Sequence, residues 1–124
     1  MDAVLDTSVL IAETEQGLHL PGVYGVSVMS IAELHRGAVT AGSAAARSRR
    51  VARLALVEEL YETLPIDRRI AVKYGEIAAT TQRLANRPHL IDGLIAATAI
   101  VYGIPVFTRD HDFDLIPGLD VVIV

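Results

Sequence analysis

Five acidic residues stand out by type and position: Asp6, Glu33, Asp92, Asp110 and Asp112. Asp6, Glu33 and Asp110 each come just past a stretch that reads as a buried strand, which would place them at one edge of a parallel sheet. Asp92 opens a helix that leads into the strand before Asp110, so packing must bring that end of the helix to the same edge. Each acid alone has an ordinary role. Asp6 can cap the helix that begins at Thr7 or Ser8, and Glu33 completes a capping box with Ser30. Asp92 gains from the helix dipole, and Asp110 and Asp112 are common turn formers. Brought together, however, four or five carboxylates repel one another, and ionising them all is costly without a cation. The chain has no Cys and no well-placed His pair, so hard oxygen ligands select Mg2+, with Mn2+ as a substitute, over zinc. The chemistry that follows is metal-assisted phosphodiester hydrolysis. One ion would activate a water for in-line attack, and a second, if bound, would stabilise the leaving oxygen.

The charge distribution agrees. Eleven basic and fifteen acidic residues give a net charge of -4, which taken whole argues against nucleic-acid binding. Without the five acids above, ten acidic residues face the eleven basic ones, and the remainder of the chain is about neutral. Four of the arginines, Arg47, Arg49, Arg50 and Arg53, fall in one short stretch. They can hold RNA phosphates, form a solvated helix face paired with acids such as Glu58, or meet a protein partner. In each case they are expected to lie away from the acids.

The elements that must position these residues are legible in outline. Ala3-Val4-Leu5 is a short strand, and Val9 to Glu15 a helix. Gln16 to Gly22 is a loop, and Val23 to Met29, rich in β-branched residues, a second strand. The Ser30-Ile31-Ala32-Glu33 box should open a helix running to about Ala41, with Gly42-Ser43 as the break. Ser43 to Thr63 reads as one long helix, and Leu64-Pro65-Ile66 as a connector or small strand. Asp67 caps a further helix to about Leu84, Asn86 to His89 is a loop, and Ile91 to Tyr102 a helix ended by Gly103. Ile104 to Thr108 and Leu119 to Val124 are the last strands. Near-uniformly apolar strands separated by helices predict an α/β three-layer sandwich with a mainly parallel sheet. In such sheets ligands bind beyond the carboxyl ends of the strands.

At 124 residues the chain is the size of one domain, expected to span 1–124. Hydrophobic residues at 52% and charged residues at 21% exclude a disordered chain. The acidic N-terminus lacks the positive charge of a signal peptide. The longest apolar stretch, Leu94 to Phe107, is interrupted by Gly103 and Pro105 and falls short of the about 20 residues of a membrane span. A cytoplasmic protein without a membrane partner is expected. A receiver-type signalling domain would need adjacent acids near the first strand and a late Lys, whereas the one Lys is Lys73. A dehalogenase-type phosphatase would need D-x-D where this chain has Asp6-Thr7-Ser8.

Four segments together resemble the motifs of PIN-domain nucleases. They are Val4-Leu5-Asp6-Thr7-Ser8-Val9-Leu10-Ile11-Ala12, Ser30-Ile31-Ala32-Glu33-Leu34-His35-Arg36-Gly37, Ile91-Asp92-Gly93-Leu94-Ile95-Ala96-Ala97-Thr98-Ala99 and Thr108-Arg109-Asp110-His111-Asp112-Phe113. In order and spacing they are similar to VapC-type toxins of toxin–antitoxin pairs. The resemblance implies a Mg2+-dependent endoribonuclease that cuts tRNA or ribosomal RNA, forms a homodimer and is silenced by a cognate antitoxin protein. It makes Asp6, Glu33, Asp92 and Asp110 the acidic quartet and metal-ligand set, with Asp6 and Asp92 foremost and Asp112 as a helper. Thr7, Ser8 and Thr108 then orient Asp6 or a water, or else serve as caps. His35 and His111 touch phosphate or stay at the surface, and Arg109 binds substrate phosphate or screens the acids. Leu54, Val57 and Tyr61 belong to the core or to a dimer contact. Gly93 stands where relatives usually carry Ala, a small departure. A PIN module used only for binding is the rival, but such modules typically lose site acids that this chain retains.

Overall fold

In the computed structural model, which describes residues 1–85 and 87–124, five strands form one sheet in the order β3-β2-β1-β4-β5, and every neighbouring pair is parallel. The strands are β1 (Ala3–Leu5), β2 (Tyr24–Ser27), β3 (Glu62–Leu64), β4 (Val106–Thr108) and β5 (Val121–Ile123). The helices are α1 (Thr7–Glu15), α2 (Val28–Val39), α3 (Ala44–Leu60), α4 (Arg68–Thr81) and α5 (Leu90–Tyr102), with a 3-10 turn at His111–Leu115. Asn86, part of an expected loop, lies outside the described residues.

Alternation along the strands divides the core in two. Ala3, Leu5 and Val26 face Val9 and Leu10 of α1, Leu34 of α2 and Val57 of α3. Val4, Leu64 and Val106 face Ile70 and Ile77 of α4, Ile95 and Ala99 of α5, and Phe113. The result is the three-layer sandwich expected, with β1 central and buried on both faces. The small residues Gly93, Ala96, Ala97 and Ala99 of α5 are all buried, which lets this helix lie close to the sheet. Val57 is buried, and the half-buried Leu54 and Tyr61 pack on the same cluster, so this stripe is core.

Several boundaries differ from expectation: α1 begins at Thr7 rather than Val9, and β2, β4 and β5 are shorter. Helix α2 starts at Val28, capped by Ser27, whose Oγ accepts from the Met29 N–H at 3.1 Å. The Ser30 box is therefore interior to the helix. Helix α3 stops at Leu60, where extended Tyr61 leads into β3, a strand hidden in the sequence because Glu62 and Thr63 are exposed at the sheet edge. Helix α4 ends at Thr81 rather than Leu84, although its cap is as expected, with Asp67 Oδ1 accepting from the Ile70 N–H at 3.1 Å.

Candidate active site

Asp6 is the first residue past β1 and occupies the N-cap position of α1, yet its side chain makes no capping hydrogen bond. Its Oδ2 accepts instead from Ser8 Oγ at 2.7 Å and from Thr108 Oγ1 at 2.9 Å. The carboxylate is thus aimed by a hydroxyl in the first turn of α1 and by another at the end of β4. Asp6 is 5% exposed and Thr108 fully buried. A charge so placed depends on these donors, because each hydrogen bond to a charged group contributes about 1.5–3 kcal/mol. Asp6 N donates to Phe107 O at 2.9 Å, which fixes β1 against β4 at the point where both chains leave the sheet.

Glu33 lies in the second turn of α2, half-buried, with its Oε1 accepting from Thr7 Oγ1 at 2.6 Å. The Thr7 hydroxyl also lies 3.0 Å from Ser30 Oγ, and Ser30 is fully buried. The spacing that suggested a capping box therefore has another meaning. Residues three apart share a helix face, so Ser30 and Glu33 both turn toward Thr7. Ser30 is the site residue that sequence reasoning assigned only to a cap, and this i, i+3 pairing is the signal that carries it.

Asp92 sits in the first turn of α5, where the dipole favours a carboxylate. Even so, its carboxyl is pushed up to about 6, first by burial and then by the charges of Asp6, Asp110 and Glu33, while His89 pulls it back. The same repulsion shows that these four acids share one electrostatic neighbourhood. Gly93, beside it, is buried, and a Cβ there would stand 2.8 Å from Cε1 of Tyr74. What seems a small departure in sequence is tied to the ring packed above it.

Asp110 follows β4. Its N–H donates to Thr108 Oγ1 at 3.0 Å, and its Oδ1 accepts from the Asp112 N–H at 2.9 Å, capping the 3-10 turn. Thr108 thereby connects Asp6 with Asp110. Asp112 is exposed, gives this site its backbone N–H, and is absent from the charges acting on Asp92. Arg109 is exposed, and its N–H donates to Ser8 Oγ at 3.2 Å. His111 and His35 are exposed as well, and His111 Nδ1 lies 3.1 Å from Asp114.

The donor set is carboxylate and hydroxyl throughout, the chemistry of a magnesium or manganese site. A carboxyl raised first by burial and then by three neighbouring anions is the electrostatic condition that a cation relieves. Among the described residues no three of these acids stand close enough to chelate an ion as they are.

The arginine stretch is not one uniform face. Arg53 is buried, with Nε donating to Thr14 Oγ1 and Nη2 to Glu15 Oε1, both at 2.7 Å. Arg50 Nη1 donates to Gly37 O at 2.8 Å, so only Arg47 and Arg49 point freely into solvent.

The profile of the PIN domain matches residues 3–119. The chain belongs to the PIN-domain family. It is 36% identical over 120 residues to the protein named ribonuclease VapC5 of Mycobacterium tuberculosis, covering 93% of this chain and 87% of that one. The solved VapBC-5 toxin–antitoxin structure from the same organism superposes with a TM-score of 0.82 at 34% identity, over 98% of this chain and 96% of that chain. The DNA-bound VapBC structure from Salmonella typhimurium gives 0.87 at 23% identity, over 99% and 98% of the two chains, a likeness of fold.

Proposed function

We propose that this PIN-domain chain is a metal-dependent endoribonuclease and the toxin of a type II toxin–antitoxin module. The observation that carries the reading is the gathering of Asp6, Glu33, Asp92 and Asp110 at the carboxyl edge of an all-parallel sheet, where Thr108 and Thr7 hold three of them and burial, then the other acids' charges, raises the Asp92 carboxyl. The kinship with a ribonuclease VapC5 and with a solved toxin–antitoxin structure supports the substrate and the partner.

Asp6, Glu33, Asp92 and Asp110 would hold Mg2+, for which Mn2+ can substitute. When bound, the ion supplies Lewis-acid activation of water and neutralises charge on the phosphodiester. The chain's own groups do the rest. Ser8 and Thr108 fix the direction of the Asp6 carboxylate by donating to its Oδ2. Thr7 holds Glu33 at 2.6 Å and couples it to the first turn of α1. Asp92, half-buried beside Asp6, Glu33 and Asp110, supplies a carboxylate whose charge the ion would neutralise. Asp110 is held by Thr108 and closes the cluster from the β4 side.

The substrate is RNA of the tRNA or ribosomal class, and residues 1–124 work as one nuclease domain in the cytoplasm. Two copies form the active homodimer, and a cognate antitoxin silences it. No helix among the described residues is long and apolar enough to cross a membrane. Induced expression in a bacterial host should arrest growth and fragment RNA. Asp6→Asn should abolish both, and co-expression of the protein encoded next to this chain should restore growth. Growth arrest that survives Asp6→Asn overturns the reading.

A further inference from the structure

A groove of about 270 Å3 has Thr7 and Glu33 of the acid cluster in its wall, together with Gly37, Glu15, Arg50 and Arg53. Two of the four arginines expected to lie away from the acids, Arg50 and Arg53, thus border the same space. Their charges are not equivalent. Arg53 is ion-paired with Glu15 at 2.7 Å, and its side chain is only 9% exposed, so its charge is answered within the protein. Arg50 is half-buried and braced through Nη1 on the Gly37 carbonyl, in the last turn of α2. Among the described residues it has no carboxylate partner. Its Nε and Nη2 likewise have no partner among the described residues, on a guanidinium that is already oriented. A Cβ added at Gly37 would meet nothing within 4 Å, so the groove is open over this point.

An occupant must therefore present an anion to Arg50 and tolerate the carboxylate of Glu33 at the other end. An acidic peptide meets repulsion there. A nucleic-acid strand presents a phosphate to each end, and a phosphate beside Glu33 can share a divalent cation with it. The volume is slightly below that of ordinary ligand pockets, about 300–1,000 Å3, and suits a single backbone unit of a strand.

We propose that this groove is a phosphodiester subsite of the nuclease, in which Arg50 binds a backbone phosphate flanking the bond to be cut and so sets the register of the RNA over the acids. The proposal rests on the nuclease reading. Arg50 acts as a positioning residue, using the planar fork that suits bidentate phosphate contact.

The test compares Arg50→Gln, Arg50→Lys and, as a charge control outside the groove, Arg69→Gln. Binding of a short single-stranded RNA of mixed sequence is followed by fluorescence anisotropy in EDTA over a range of KCl, with melting temperatures in parallel. Losing one phosphate contact should flatten the log–log salt dependence by about 0.7. Losing a hydrogen bond to a charged group should weaken binding about tenfold. Arg50→Lys should keep the slope and lose part of the affinity. With total RNA, Arg50→Gln should cut more slowly chiefly when RNA is limiting, whereas a merely structural role would follow the melting temperature instead. Should Arg50→Gln fail to fold, Arg50→Lys binding as tightly as wild type overturns the proposal. A folded Arg50→Gln protein with the wild-type slope and affinity overturns it equally. Failure of the nuclease reading looks different, because wild-type protein would then leave total RNA intact with metal present.

Discussion

Asp92→Asn tests the cost of a half-buried carboxylate in the acid cluster, burial first and repulsion second, because it removes one charge with almost no change of shape. In the folded protein the Asp92 carboxyl is raised from 3.8 to about 6. Such a rise corresponds to about 3 kcal/mol against the charged form. The carboxyl is only half-buried, and solvent screening brings this to roughly 1–2 kcal/mol. The direction with pH follows from linkage. Below the unfolded value of 3.8 both states hold the proton and the folded protein carries no penalty. The penalty grows as pH rises between 3.8 and about 6 and is complete above that, where folding must keep the carboxylate charged beside three other anions. In EDTA at pH 7.5, Asp92→Asn should therefore raise the melting temperature by about 4–8 °C. Near pH 4 the two proteins should melt together. The assay is paired thermal unfolding at both values, with urea titration to obtain free energies. A variant less stable than wild type at pH 7.5, or one whose gain is the same at pH 4, refutes the account of strain.

Divalent metal should reverse that order. At a hundredfold excess over its dissociation constant, Mg2+ or Mn2+ should stabilise the wild type by about 2.7 kcal/mol and Asp92→Asn far less, as thermal shift would show. Thr108→Val removes one donor from buried Asp6 and the acceptor of the Asp110 N–H. Unfolding should show a loss of about 1–3 kcal/mol, and RNA cleavage should fall at least about tenfold. Gly93→Ala drives a methyl into the Tyr74 ring and should cost about 1–3 kcal/mol, most of it recovered in a Tyr74→Leu background; an Ala variant as stable as wild type contradicts that packing.

The layers of the fold were legible because strands buried on both faces carry continuous apolar runs, and Ala3-Val4-Leu5 shows this even at its shortest. Strand β3 was not, since an edge strand with Glu62 and Thr63 in solvent has neither an apolar run nor a clear alternation. At the site, the acids were readable from their places after strands and at a helix start. Their partners were less so. Asp6 looks like a cap by position, but whether a carboxylate turns to its own helix or to Thr108, far along the chain, depends on tertiary packing. Ser30 and Glu33 were read with the right periodicity and the wrong boundary, because Ser27 takes the cap one turn earlier. Two of the four arginines, Arg50 and Arg53, lie nearer the acids than expected for the same kind of reason. Helical spacing shows that Arg50 and Arg53 share a face, but only the packing of α3 against α1 and α2 shows that this face borders Thr7 and Glu33.

The central claim is that four carboxylates form a divalent-metal site for RNA cleavage. Its most direct test is to incubate purified protein with total RNA and sequence the new ends, with Mg2+, with EDTA, and with Asp6→Asn under both conditions. The account predicts one or a few discrete cuts by the wild type in Mg2+, and none in EDTA or with Asp6→Asn. Cleavage that continues undiminished in EDTA, or at the same sites with Asp6→Asn, would contradict it.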